Sequence, residues 1–427
     1  MEKLNVRKNN SANGQPITAE IITIGDELLI GQVVDTNSAF IARELNRIGI
    51  SVFQITSVSD ERLHILTTLA EASMRVQLVL TTGGLGPTKD DITKSVFAEY
   101  TDDHLVSHPE TLRNIESMMA ARGIAMNPLN IRQAEVPSRC TVIPNTSGTA
   151  PGMWFEKDGV VYISMPGVPF EMKTMMQNEV LQRLEQRFDT GIILHRTLLV
   201  TGFPESALAL HIEDWENSLP ENIHLAYLPG SGMIRLRLSS SGADRKFLES
   251  QTEAEIEKLR SLLGNHIVSE NDETIEEIVA RMLTAKGQTV AVAESCTGGY
   301  IAALLTSISG SSAYFKGSVV AYANEVKEKM LQVNPRDLQQ HGAVSEQVVT
   351  QMAAHVRKLM GTDYGIATSG IAGPTGGTPD KPVGTIWIAA ATATQTVAKL
   401  LQYGNNRESN IQRTGTAALN LLREMIV

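Results

Sequence analysis

The chain has 427 residues, 42% of them hydrophobic and 20% charged, so it can bury two to four cores of ordinary domain size. Its net charge of −10 argues against coating nucleic acid, and its two cysteines, Cys140 and Cys296, support neither a disulfide framework nor a zinc cluster. No apolar run approaches the roughly 20 residues that span a bilayer. The polar start, Met1 to Gln15, reads as a loose tail and not a signal peptide, and a reducing, cytoplasmic compartment is expected.

Glu20 to Ile24 is a short apolar strand that ends in Gly25-Asp26-Glu27. Asp35-Thr36-Asn37-Ser38 then precedes a helical pattern over Ala39–Ile48, closed by Gly49. Ile50–Thr56 alternates as a strand, Arg62–Met74 repeats as a helix, and Val76–Leu80 is a third strand. Strands alternating with helices predict a parallel sheet whose ligands sit beyond the carboxyl ends of the strands.

Thr81 to Asp91, TTGGLGPTKDD, is a glycine-rich loop that meets two adjacent carboxylates. The N–H groups of Gly83, Gly84 and Gly86 suit a phosphate, with Thr88 beside them, whereas Asp90 and Asp91 repel one. A divalent cation resolves that conflict, and Asp26 and Glu27, at a neighbouring strand end, are candidates to join it. The plainer alternative is a tight turn in which Asp complements a helix dipole. Two later loops, Asn145–Gly152 and the Pro166-Gly167-Val168-Pro169 turn, are expected in the same site. Glu171, in the first turn of the next helix, is a candidate base, metal contact or cap. From Gly191 to Asn265 strands and helices suggest a small α+β unit, and its seven Lys/Arg against ten Asp/Glu between Gly191 and Arg260 weaken any RNA-binding reading. Tyr227 is a candidate stacking group there.

In the last third, Thr289–Ala293 reads as a buried strand and Tyr300–Leu305 as a helix, which puts Glu294 to Gly299 in the turn between them. Ser295 then sits where free N–H groups and the helix dipole favour an oxyanion or phosphate, with Gly298 and Gly299 allowing close approach; alternatively Ser295 or Thr297 is merely a cap. No histidine lies nearby, so Lys327, neutralised by burial, is the candidate base, with Tyr322 relaying the proton or orienting the amine. Cys296 is a rival nucleophile, because a thiolate at a helix start is readily activated. A second glycine-rich loop, Ser369-Gly370-Ile371-Ala372-Gly373, suits a phosphate or carboxamide, and Arg407 offers a cation for a phosphate.

These motifs carry a resemblance. Gly83-Gly84-Leu85-Gly86-Pro87-Thr88 with Asp90-Asp91, Gly25-Asp26-Glu27 and Pro166-Gly167-Val168-Pro169 resemble the molybdopterin-binding domain and, more closely, the amino-terminal domain of the CinA family of competence/damage-inducible proteins. Glu294 to Gly299, Tyr322 to Lys327 and Ser369 to Gly377 resemble that family's nicotinamide mononucleotide deamidase domain. The resemblance implies an α/β chain: a tail over 1–16, a three-layer α/β molybdopterin-binding-like domain over 17–188, a KH-like α+β domain over 189–268 and an α/β deamidase domain over 269–427. It further implies Ser295 as nucleophile with Lys327 and Tyr322, substrate contacts from Asn37 and Gly167, and a homodimer. Asn405 and Asn406 depart from the Gly and Asp common in relatives. The implied activities are a metal-dependent ADP-ribose pyrophosphatase, using Mg, Mn or Co with K as a further candidate, and a deamidase that needs no cofactor. A non-catalytic nucleotide-binding adaptor in competence or recombination and a molybdopterin binder are the alternatives.

Overall fold

Alternation along the first strand, β1 (Thr18–Ile24), sets the layering of the N-terminal sheet. Ala19 and Ile21 enter one core with Phe40, Ile41 and Leu45, whereas Ile22 and Ile24 enter another with Ile65 and Leu69 on the opposite face. Two helical layers therefore sandwich one sheet. The computed structural model describes residues 17 to 426, so the tail expected over 1–16 lies outside the described residues.

Next come β2 (Ser51–Val58), β3 (Leu78–Thr82), a small antiparallel pair β4 (Leu105–Ser107) and β5 (Glu135–Pro137), β6 (Thr141–Ile143), β7 (Gly152–Lys157) and β8 (Val160–Met165). The sheet order is β2-β1-β3-β8-β7-β6, with the first four strands parallel and the last two antiparallel. The third strand starts two residues later than its apolar run predicts. Val76 still closes the preceding helix through Ala72, and the strand runs on through the buried Thr81 and Thr82, which pair with Ser164 and Met165. The carboxyl ends of β1, β3 and β8 thus converge, as the parallel sheet requires. Gly83 lies so close to β1 that a Cβ there would sit 2.0 Å from the Ile24 carbonyl oxygen, which only glycine tolerates.

The middle segment is the expected α+β unit: β9 (Ile192–Thr201), β10 (Ile223–Pro229), β11 (Met233–Gly242) and β12 (Ile267–Ser269) in the order β10-β11-β9-β12. The C-terminal sheet holds β13 (Val290–Glu294), β14 (Phe315–Val320), β15 (Tyr364–Gly370), β16 (Thr385–Ala391) and β17 (Thr396–Gln402) in the order β14-β13-β15-β16-β17. The first three are parallel, and β16 and β17 run antiparallel. Val290 and Val292 face one core, Ala291 and Ala293 the other. The chain forms two compact units: one runs to Leu194 and includes Ser240–Glu249, and the other comprises His195–Ser239 and the chain from Ser250 onward. The boundary expected at 188/189 lies just before β9, and the one expected at 268/269 falls within β12, the last strand of the middle sheet.

Candidate active sites

In the C-terminal unit, the nucleophile turn is fixed by a carboxylate that sequence reasoning passed over. Glu294, fully buried at the end of β13, accepts from the N–H groups of Gly299 (3.0 Å), Ile301 (3.1 Å) and Ala302 (2.9 Å) at the start of the helix Tyr300–Ser307. The helix start is therefore already occupied by a negative group, and the expected anion subsite there is corrected to the turn itself. Gly298 and Gly299 take φ of 61° and 106°, left-handed values that reverse the chain above Glu294. The N–H of Ser295 donates to Thr368 on β15 (3.0 Å), and that of Gly298 to the Ser295 carbonyl (3.2 Å). Of the four N–H groups from Ser295 to Gly298, those of Cys296 and Thr297 alone donate to no other described residue, which leaves them for an oxyanion.

Ser295 is 8% exposed and Lys327 1% exposed, so the two meet out of bulk water. Lys327 Nζ lies 3.2 Å from Ser295 Oγ, 2.7 Å from the Ala321 carbonyl and 3.2 Å from the Tyr322 carbonyl. A neutral amine has two N–H donors for the two carbonyls, which leaves its lone pair for the serine proton. Among the described residues no carboxylate pairs with this lysine, and burial lowers its pKa below the usual lysine value. Cys296 is buried, and burial pushes its thiol up to about 12, so a thiolate is disfavoured and the serine is the better nucleophile.

Tyr322 departs from expectation. Its side chain is 61% exposed and its hydroxyl accepts from Arg407 (3.2 Å), so it reaches the amine through its backbone carbonyl and not through a phenol relay. The reason is local: Tyr322 leaves β14 just before the helix Asn324–Lys329, which turns Lys327 inward and Tyr322 outward. Arg407 also donates to the Gly373 carbonyl (3.0 Å), which places at the rim of the second glycine loop a cation with no carboxylate partner among the described residues. Ser369, by contrast, spends its hydroxyl proton on Ala343 (2.6 Å), and Gly370 is needed for packing, because a Cβ would lie 2.5 Å from Ile386. These two candidates hold the loop in place.

In the N-terminal unit, a cavity of about 460 Å³ opens where the parallel strands end, lined by Glu27, Asn37, Gly83, Gly84, Gly86, Asp90, Asp91, Gly167 and Glu171. Nine candidates thus come together. Asn37, the first residue of its helix, donates to Thr82 Oγ1 (3.1 Å) and the Gly167 carbonyl (2.8 Å), while its buried Oδ1 has no partner among the described residues and suits a ligand donor. Glu171 accepts from Asn145 (2.7 Å), which joins the Asn145 loop to this wall.

Three candidates are reassigned. Asp91 accepts from the N–H of Gly86 (2.8 Å) and, with its other oxygen, from the N–H and hydroxyl of Thr88, so Asp91 and Thr88 close the loop on itself. Asp26 contributes its backbone N–H to Asp60 (3.1 Å) and does not line the cavity. Asp60 is the residue that sequence reasoning missed. It follows β2 at the same sheet edge, and burial, together with the charges of Asp26, Glu27 and Asp90, raises its carboxyl pKa. Among the described residues no three His, Cys, Asp or Glu side chains form a ready metal cage. The crowded carboxylates Glu27, Asp60 and Asp90 instead fit a cation held by one or two of them and completed by substrate oxygens. Tyr227 lies on β10, with its hydroxyl donating to Glu216 (2.6 Å) inside the middle sheet unit.

Over 410 residues the chain is 48% identical to a CinA-like protein of Cytophaga hutchinsonii, covering 96% of this chain and 98% of that one. The chain belongs to the CinA family. A CinA-like protein of Flavobacterium psychrophilum is 45% identical over 413 residues, covering 96% of this chain and 98% of its own length. Three family models divide this CinA chain: a probable molybdopterin binding domain over 20–186, the damage-inducible protein CinA KH domain over 195–269 and the CinA C-terminal domain over 272–426. A crystal structure of a competence damage-inducible protein A from Klebsiella pneumoniae is 37% identical, covers 36% of this chain and 96% of that one, and superposes with a TM-score of 0.35. In this CinA chain the expected α/β class and its three named parts hold, and no helix among the described residues is long and apolar enough to cross a membrane.

Proposed function

We propose that this CinA-family protein is a bifunctional hydrolase of pyridine-nucleotide salvage, whose C-terminal site deamidates nicotinamide mononucleotide. The observation that carries the reading is the buried Lys327 amine 3.2 Å from the Ser295 hydroxyl. In the proposed course Lys327 takes the Ser295 proton as Oγ attacks the carboxamide carbon. The oxyanion is held by the N–H groups of Cys296 and Thr297; loss of one such donor commonly costs about 10²–10³-fold in rate. Collapse breaks the C–N bond, Lys327 returns the proton to the leaving ammonia, and water then hydrolyses the ester to the acid mononucleotide. Arg407, the exposed cation of the rim, suits the substrate phosphate.

The N-terminal site is proposed to cleave the diphosphate of ADP-ribose to AMP and ribose 5-phosphate. One or two of Glu27, Asp60 and Asp90 would hold a divalent cation, which when bound supplies Lewis-acid polarisation of the diphosphate. The chain's own contribution is the N–H groups of Gly84 and Leu85 for phosphate oxygens, because those of Gly83 and Gly86 already donate to Met165 and Asp91, and Asn37 Oδ1 for a sugar hydroxyl.

Incubation of the intact chain with nicotinamide mononucleotide, read by mass spectrometry and ammonia release, tests the first activity. The acid mononucleotide is expected from wild type and from Cys296→Ala, and not from Ser295→Ala. Turnover that persists in Ser295→Ala or disappears in Cys296→Ala would overturn the assignment.

A further inference from the structure

The helix Arg407–Met425 has a second working face in the C-terminal unit, independent of both proposed reactions. Arg413, Thr416, Ala417, Asn420, Arg423 and Glu424, at offsets of three and four, line a cavity of about 950 Å³. Its other walls come from β17 and from the segments that carry Phe203 and His266. A space of this size accommodates a mono- or dinucleotide.

The charges on this wall are not balanced. Lys399 is paired with Glu424 (2.8 Å), but the Arg413 guanidinium makes no hydrogen bond or ion pair among the described residues and lies over the Tyr403 ring, 4.1 Å from its centroid. Arg423 donates to the neutral Asn420 (2.9 Å) and is buried enough for its pKa to fall below the usual arginine value. Among the described residues neither guanidinium is in an ion pair, although the Glu424 charge, itself paired with Lys399, acts on Arg423; Lys399, Arg413 and Arg423 against Glu205 and Glu424 leave this cavity net positive in a chain whose net charge is −10. A protein of that charge has no general need for a cationic recess, and guanidinium forks match phosphate oxygens. Across the cavity Phe203 and His266 pack with ring centroids 4.5 Å apart, giving an aromatic surface of the kind on which bases stack.

We propose that this cavity is a binding site for a phosphorylated nucleotide, with Arg413 and Arg423 holding phosphate oxygens and Phe203 and His266 facing the base. ADP titrated into the intact chain by calorimetry, with chelator present, tests it. Without metal the carboxylate-lined N-terminal cavity repels the probe, and Arg407→Gln removes the phosphate cation of the deamidase site. Saturable binding is expected in wild type and in Arg407→Gln, weakened at least about tenfold in Arg413→Gln and in Arg423→Gln, the usual cost of losing a hydrogen bond to a charged group. Phe203→Leu is expected to weaken ADP while leaving inorganic pyrophosphate unchanged. Arg413 supports no other side chain by hydrogen bonding, so its variant loses the contact with the Tyr403 ring and is expected to stay folded, melting within a few degrees of wild type. Absence of saturable ADP binding, equal affinity in wild type and Arg413→Gln, or a loss confined to Arg407→Gln would overturn the proposal.

Discussion

Replacing Glu294 by glutamine removes one of two buried acceptor oxygens without changing the size of the side chain. In the wild type one oxygen accepts from Gly299 and Ile301 and the other from Ala302. The amide oxygen can keep the first pair, but the amide NH₂ then confronts the Ala302 N–H, donor against donor. An orphaned buried donor costs about 1–3 kcal/mol. Losing the negative charge at a helix start adds about 0.3–1 kcal/mol. The sum is about 1.3–4 kcal/mol. In a unit of this size each kcal/mol moves the melting midpoint by about 2–4 °C, so a fall of about 3–16 °C is expected in a thermal melt of the intact chain. The turn that carries the Cys296 and Thr297 donors loosens with it, so kcat for deamidation is expected to fall more than KM rises. A variant that melts within a degree of wild type would refute the reasoning, because it would mean that the three N–H groups do not depend on this carboxylate.

Deamidation is expected to rise with pH through a Lys327 pKa lower than the ordinary lysine value, since the base acts neutral; a rate flat from pH 6 to 10 would remove Lys327 as the base. The same depression has a stability sign. Between the folded and unfolded pKa values the unfolded chain binds the extra proton, so this residue's contribution makes the fold more stable as pH rises through that window and less stable as pH falls, which the slope of melting midpoint against pH for wild type and Lys327→Met compares. Arg407→Gln is expected to raise KM for nicotinamide mononucleotide by about 10–100-fold while leaving turnover of the nucleoside without its phosphate unchanged, as steady-state kinetics on both substrates measures. For ADP-ribose hydrolysis, Asp60→Asn is expected to raise the metal concentration needed for half-maximal rate, whereas Asp91→Asn lowers the rate without moving that concentration. A metal titration of the two variants separates the cation-facing carboxylate from the one that closes the loop.

Much of this arrangement was legible in the chain itself. Period-two apolar runs placed the parallel strands, and glycine-rich segments after them marked the strand ends where Gly83, Gly167 and Ser295 gather ligand-facing groups. Residue type made Lys327 the candidate base, because the nearby segments offer no histidine, while the choice of Ser295 over Cys296 rested on the family resemblance. What escaped was long-range or ambiguous in local pattern. Asp60 looks like an ordinary loop aspartate until β2 is laid beside β1, and Glu294 reads as the polar end of a strand until the helix start folds back over it. Tyr322 and Lys327 are five residues apart, and only the turn between β14 and the next helix decides which of them faces inward. Asp90 and Asp91 are adjacent and alike; the hydrogen bonds of the closed loop distinguish them.

Ser295 follows β13 and Lys327 follows β14, two strands joined side by side in register. The gap between candidate nucleophile and base is consequently set at the end of this strand pair, where the Ala321 N–H donates to the Glu294 carbonyl (2.7 Å) and Lys327 reaches back from the next helix to the carbonyls of Ala321 and Tyr322. Loops around the substrate can breathe without altering that gap, so substrate arrival need not assemble the reacting pair. For the proposed reaction this means that the pair is in place before substrate binds, and that heat or denaturant separates it by pulling apart the middle of the sheet.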